Sequence, residues 1–220
     1  MKYLLLCLLL VVTLGMCLGV NTCLLGEIFY TYSIPEGWNV VGMGCCGLVA
    51  SDSTNPARGI IALNHLPANL LPAYTTPESY LEEYMPQYFS QQGNQVTNMK
   101  ILFYESDQNL ANVVAWYIGF MASAKSMRCS FEVNGIPSQG SFTVVTNELS
   151  GYGTTVPFLA GVFAPADQFD EEAPKLVDIW KSIKVMRQYR DICTPPIGGC
   201  YQCNDDDCCG QPCNENGNCD

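Results

Sequence analysis

From residue 27 to about residue 186, apolar positions fall mostly in short β-branched and aromatic runs broken by turn residues. That pattern predicts strands rather than helices. The first runs are 27–33 (EIFYTYS), 38–41, 47–51 and 59–64, with a turn at Pro35-Glu36-Gly37 and a polar stretch at 52–58. A loop at 67–77 follows, and the period then changes. Thr76-Pro77-Glu78 reads as a helix start, with Thr as cap and Pro at the first helical position. Tyr80, Leu81, Tyr84, Tyr88 and Phe89 share one face at helical spacing. Pro86 is expected to kink or break this helix, and Gly93 to end it. Strands are predicted again at 96–104, 111–120, 127–133, 141–146 and 155–163. Asn134-Gly135 signals a hairpin between the third and fourth of these, with a loop longer than two residues. A last helix is predicted over 167–183, where Phe169, Ala173, Leu176, Val177, Trp180 and Ile183 form one stripe. Asp170, Glu171 and Glu172 crowd its start while Lys175, Lys181 and Lys184 follow, as the helix dipole favours. The order strands, helix, strands, helix predicts an α+β domain with an antiparallel β-sheet and helices packed on it.

Both ends of the chain depart from this pattern. Residues 4–20 are an uncharged apolar run behind Lys2, which reads as a secretory signal peptide. The run also reaches the short limit for an uncleaved membrane anchor. A third reading attaches lipid to Cys23, although Asn21-Thr22 is unlike a bacterial lipobox. All three readings put the folded part outside the cytoplasm, secreted or anchored at its N-terminus. At the other end, 191–220 has no Leu, Val, Phe, Met or Trp and no Lys or Arg. Such a segment buries too little apolar surface to offset its ordering entropy. The expected division is therefore 1–22 signal or anchor, 23–190 α+β domain and 191–220 acidic cysteine-rich tail.

Cysteine chemistry is the evident way to hold that tail. Of 13 cysteines, Cys7 and Cys17 fall in the apolar leader and 11 remain, an odd number. Cys23 is the candidate for a free or lipidated thiol. The disulfide candidates are Cys45, Cys46, Cys129, Cys193, Cys200, Cys203, Cys208, Cys209, Cys213 and Cys219. Cys129, in a predicted strand, is an expected partner for Cys45 or Cys46. Without Cys203 the tail reads C-x6-C-x7-CC-x3-C-x5-C, which resembles the knottin cysteine framework. Cys203 departs from it and is expected to pair back to the main domain. The alternative is a metal site, with zinc on Cys200, Cys203, Cys208, Cys209 and Cys213, or calcium near Asp205, Asp206 and Asp207.

Charge narrows the partners. The net charge is −11, with ten basic residues in the chain. No Lys/Arg cluster is present to displace counterions from phosphates, so nucleic acid is excluded as a partner, and contact with a membrane is expected only through the N-terminal segment. The remaining partner, a protein or a small ligand, is not specified.

Three short motifs, Ile34-Pro35-Glu36-Gly37-Trp38, Tyr80-Leu81 in the first helix and Ile179-Trp180-Lys181-Ser182-Ile183-Lys184, resemble the PsbP/Mog1-type domain over about residues 28–186. That resemblance implies an antiparallel sheet between helices. Its members include photosystem accessory proteins, bacterial exported lipoproteins and a nuclear-transport cofactor, mostly binding or scaffolding modules without a catalytic motif. The tail lies outside it.

Catalytic chemistry has little to work with. His65 is the sole histidine, so a Ser-His-Asp triad or a hydrolase built on a Cys-His pair would have to use it. No Gly-x-Ser-x-Gly elbow precedes a helix. Gly42-Met43-Gly44-Cys45-Cys46-Gly47 lacks the Lys-Ser/Thr ending of a phosphate loop and reads as a tight turn clamped by Cys45 or Cys46. The carboxylates 170–172 are read as a solvated helix start, and Tyr80, Tyr84 and Tyr88 as core packing rather than a ligand groove. The expected function is an exported, non-enzymatic binding or scaffolding protein without a cofactor. A metal-binding tail and a His65 hydrolase are its alternatives.

Overall fold

The structure is a computed structural model and describes residues 26–64, 71–91, 93–118, 121–149, 152–189 and 193. Seven antiparallel strands form one sheet. They are β2 (Trp38–Gly42), β3 (Gly47–Asp52), β4 (Gly59–Asn64), β5 (Val96–Ser106), β6 (Ala122–Val133), β7 (Ile136–Glu148) and β8 (Thr154–Pro165). Their order across the sheet is β2-β3-β4-β8-β7-β6-β5. The two hairpin-connected blocks thus meet at the pairing of β4 with β8, in the register Leu63↔Leu159. This explains why β8 is the most apolar strand: it is buried on both faces along most of its length. A short β1 (Tyr30–Thr31) pairs instead with β9 (Lys184–Val185), so only the middle of the predicted 27–33 strand is a strand.

Helices cover both faces, which is the α+β arrangement the sequence predicts. α1 runs from Pro77 to Gln91 in three contiguous pieces: an α-turn Pro77–Ser79, a π-helical turn Tyr80–Tyr84 and an α-helix Met85–Gln91. Thr76 caps it reciprocally, its hydroxyl accepting from the Ser79 backbone N–H while Ser79 Oγ accepts from the Thr76 N–H. The expected break at Pro86 does not occur. Pro86 has no N–H to donate to Glu82, and the chain widens one turn earlier, where the Met85 N–H reaches back to Tyr80 O.

α2 (Gln108–Ile118) and α3 (Phe169–Lys181) lie on the other face. α2 corrects the predicted strand at 111–120. The run ANVVAWYIGF is too uniformly apolar to reveal a period. The deciding signal is upstream: Asp107 caps the helix through the Leu110 N–H at 2.9 Å. Ala111 then packs on Ala124 and Val145, a cross-strand pair of β6 and β7. The hairpin β6–β7 is also tighter than expected. Val133 pairs directly with Ile136, leaving a two-residue turn with Asn134 at φ 51° and Gly135 at φ 81°. Both central residues in the left-handed region match the sheet twist, which is why Asn-Gly suits this place.

Two cores result. The α1 face buries Leu63, Leu81, Met127, Cys129, Phe142 and Leu159. The α3 face buries Leu48, Ile60, Val162, Ala164, Phe169 and Leu176. Among the described residues no helix is long and apolar enough to cross a membrane.

Candidate functional site

The residues singled out in the sequence separate into two groups, and a third set emerges only from the structure. His65, Cys23, Cys200, Cys203, Cys208, Cys209, Cys213, Cys219 and Asp205 to Asp207 lie outside the described residues, as does the side chain of Tyr88. The knottin framework, the metal alternatives and the lipid reading therefore fall there too.

The second group serves the fold. The segment 42–47 is the tight turn between β2 and β3, closed by Cys46 N–H to Met43 O and Met43 N–H to Gly47 O. Gly47 sits at φ 109°, and a Cβ there would stand 1.9 Å from the Ala62 carbonyl oxygen, so this turn admits no side chain. Cys45 is bonded to Cys193 across 148 residues, which ties the turn to the chain beyond β9. Tyr30 adds a second tie, its hydroxyl donating to Cys45 O at 2.6 Å, and burial raises its phenol above the ordinary value. Cys46 is disulfide-bonded as well.

Cys129 corrects the expected pairing with Cys45 or Cys46. It is a free thiol, fully buried under α1. Burial, helped by the nearby Glu82 carboxylate, pushes its pKa up to about 12. A cysteine on the inner face of a middle strand packs as a small apolar residue, and the strand pattern around 129 carries no sign of its redox state.

The carboxylates at the start of α3 are ion-paired rather than merely solvated. Asp170 accepts from Arg128 at 2.6 Å and Glu171 from Lys175 at 3.1 Å. Glu172 bonds Arg58 and Lys175. The Lys175 hydrogen bond, with Arg58 beside it, holds the Glu172 carboxyl below its ordinary range. Arg58 also reaches Asp52 at 3.6 Å and lies over the Trp38 ring at 5.7 Å, so it fastens the β3–β4 turn to α3. Tyr80 is buried and Tyr84 half-buried, in the packing role expected of them.

The third set, of which the sequence had marked only Phe89 as part of the helical stripe, forms a cavity. α1 lies over the middle of the sheet and leaves the same face of β2 and β3 uncovered: Val41 is 38% exposed and Val49 half-buried. Between this strip and the C-terminal part of α1 is a pocket of about 250 Å³. Its sheet wall is two cross-strand pairs, Asn39↔Ser51 and Val41↔Val49. Met85 and Phe89 form the helix wall, one helical turn apart and presented inward by the piece of helix that follows the π-turn. The floor is aromatic, made by Phe131, Phe142 and Phe163. Their rings meet edge-on or tilted, with centroids 5.9 Å apart for Phe131–Phe142 and 6.3 Å for Phe131–Phe163. Pro56, Asn94, Val96 and Val133 complete the lining.

Strand glycines shape that floor. Gly161 is directly opposite Phe142, and Gly59 and Gly140 are directly opposite Phe163. A Cβ on Gly161 would stand 2.2 Å from Phe142 Cδ1, and one on Gly59 would stand 2.6 Å from Phe163 Cζ. The rings therefore lie down on bare backbone, and the space above them is the pocket. No residue of the lining carries a charge. Asn39, Ser51 and Asn94 are its only polar side chains, and Asn94 Oδ1 already accepts from Asn134 at 3.2 Å. An apolar cavity with a few polar groups at one side is the usual form of a small-molecule site. The signal in the sequence was the glycine spacing in otherwise apolar strands, which marks close approach but does not say of what.

No family model matches the chain, and no curated protein matches it. Solved structures to which it is similar include the cyanobacterial PsbP protein (CyanoP) of Synechocystis sp., at 13% identity and a TM-score of 0.33, over 72% of this chain and 87% of that one. Another is LpqN, involved in cell envelope biogenesis of Mycobacterium tuberculosis, at 15% identity and a TM-score of 0.33, over 71% and 80% of the two chains. The first carries the family name that the sequence motifs resemble. Overlaps this loose leave the architecture to rest on its own strand order and layers.

Proposed function

We propose that this is an exported, non-enzymatic binding protein whose site is the pocket between α1 and the β2–β3 strip. The observation that carries the reading is the lining: about 250 Å³ walled by Val, Met and Phe side chains, without a charged group. Acid–base or nucleophilic catalysis needs a titratable or activated group at the reacting atoms, and this lining has none to offer. Apolar burial is what it supplies.

Export is supported by the Cys45–Cys193 disulfide, a bond that persists in oxidising compartments and is rare in the cytosol. The apolar leader at 4–20 points the same way.

The test is methyl NMR on the purified, disulfide-intact chain titrated with naphthalene. Shifts are expected at Val41, Val49 and Met85 in the wild type. They are expected to vanish in Val41→Trp, which fills the pocket from an exposed position without replacing a core residue. Unmoved methyls in the wild type, or equal shifts in the filled variant, would overturn the reading.

A further inference from the structure

The polar atoms of the pocket are not scattered. Asn39 and Ser51 are direct cross-strand partners on β2 and β3, so the carboxamide and the hydroxyl point to the same face, side by side on one wall. Among the described residues neither side chain makes a hydrogen bond with the protein, whereas the third polar residue, Asn94, is engaged by Asn134. The pair offers donors and acceptors of both kinds and no charge. Apart from Asn94 the rest of the lining is apolar, with Met85, Phe89, Phe131, Phe142 and Phe163 supplying most of it.

Size bounds the other end of the ligand. A dry cavity of roughly 150 Å³ takes benzene. The present cavity, at about 250 Å³, is larger by two-thirds, the proportion by which a second fused ring enlarges benzene. The aromatic floor favours a flat body, stacked or edge-on against the three phenylalanines. Asn39 is exposed and Ser51 half-buried, so this end meets water; a carboxylate or ammonium group there finds no counter-charge in the lining and loses part of its hydration against the apolar walls, which disfavours it relative to a neutral group.

We propose that the pocket takes a neutral, flat apolar molecule of about two-ring size with a hydroxyl or carbonyl at one end, and that Asn39 and Ser51 are the residues that read that end. This rests on the reading of the pocket as a binding site.

The experiment compares naphthalene, 2-naphthol and 2-naphthoate by NMR titration of the full, oxidised chain. 2-Naphthol is expected to bind about 2- to 10-fold more tightly than naphthalene, as one or two neutral hydrogen bonds allow. 2-Naphthoate is expected to bind more weakly than 2-naphthol, by about 2- to 10-fold, because its charge is partly stripped of water without an ion pair in return. In Asn39→Leu/Ser51→Ala the preference for the alcohol over the hydrocarbon disappears while naphthalene affinity is kept or rises, and retained naphthalene binding reports that the variant is folded. Each single variant is expected to lose part of the preference. Asn94→Ala, which removes the polar group already engaged elsewhere, is expected to keep it.

If naphthalene binds but 2-naphthol gains nothing, or 2-naphthoate binds as well, or the preference survives the double variant, the ligand class is wrong and the site stands. If none of the three binds, the site itself is wrong, and the ligand class falls with it.

Discussion

Substituting Gly161 by Ala tests the link between the packing of the sheet and the shape of the pocket. Gly161 is in β8, directly opposite Phe142 of β7. A methyl group there would stand 2.2 Å from Phe142 Cδ1, 2.9 Å from Cε1 and 2.9 Å from the Ser141 carbonyl oxygen. The ring has little room to yield. It is 1% exposed, and the Cβ direction of Gly140 already ends 2.5 Å from its Cε2. Its way out is to lift off the sheet into the space it now floors. Overpacking of this kind costs about 1–3 kcal/mol, and replacing Gly by Ala within a strand returns about 0.5–1 kcal/mol. With three atoms closer than 3.0 Å the cost belongs at the upper end, about 2–3 kcal/mol, so the net expected loss is about 1–2.5 kcal/mol, read as a lower urea midpoint at unchanged slope. Naphthalene affinity is expected to fall with it. The double-mutant cycle with Phe142→Ala isolates the cause. In that background Cδ1 and Cε1 are gone and only the 2.9 Å contact with the Ser141 carbonyl oxygen remains, so Gly161→Ala costs less than in the wild type, giving a coupling of at least ~1 kcal/mol. An alanine as stable as the wild type, or an equal loss in both backgrounds, would refute the steric argument.

Other consequences are checked more simply. Removing the disulfide by Cys45→Ser/Cys193→Ser opens a closure of 148 residues, and equilibrium unfolding is expected to show a loss of about 2–5 kcal/mol. For Glu78, partial burial opposes ionisation, but the Lys125 hydrogen bond and charge outweigh it and hold the carboxyl below its ordinary value. A depressed folded pKa gives stability that is complete above the unfolded value and lost as pH falls through the folded one. Glu78→Gln should therefore cost ~1–2 kcal/mol at neutral pH, and the deficit should shrink in acid, as a pH series of unfolding curves would show. Gly135→Ala meets no atom within 4 Å, yet must hold φ near +81°. It is expected to lose about 1–2 kcal/mol from backbone strain alone, measured by thermal or urea unfolding. Cys129 is expected to resist iodoacetamide at pH 8 in the folded chain and to react once urea exposes it. Mass spectrometry of native and denatured samples reads both, and prompt native alkylation would contradict its burial and raised pKa.

The elements that could be read directly were those in which one local rule was sufficient. Thr76-Pro77 marked a helix start because a cap and a pre-set φ act within one turn. Gly59 to Asn64 and the apolar run through 155–163 marked strands because β-branched residues flanked by turns allow little else. The stripe from Phe169 to Ile183 marked a helix because its period is sustained. Residues 111–120 failed for the complementary reason. Apolar on every side, they fit either state, and the choice was made by the Asp107 cap and by Ala124 and Val145 beneath. Pro86 misled because its missing N–H can be absorbed by widening the preceding turn, which depends on what Tyr80 and Leu81 pack against.

By itself, then, the sequence determined the α+β class, the strand-rich pattern and the presence of cysteine crosslinks, since each follows from composition or from contacts between near neighbours. Tertiary structure decided which cysteines met: Cys45 and Cys193 are 148 residues apart, and the β1–β9 pairing, with Tyr30 bonded to Cys45, holds the end of the domain near the Cys45 turn. Tertiary structure also decided the site. Asn39 and Ser51, Met85 and Phe89, Phe142 and Phe163 come from five separate elements, and no periodicity links them. Where α1 stops short of β2 and β3, and how flat two rings lie on their glycines, are properties of packed surfaces. A cavity is the volume that packing leaves unfilled, and no single stretch of chain encodes it.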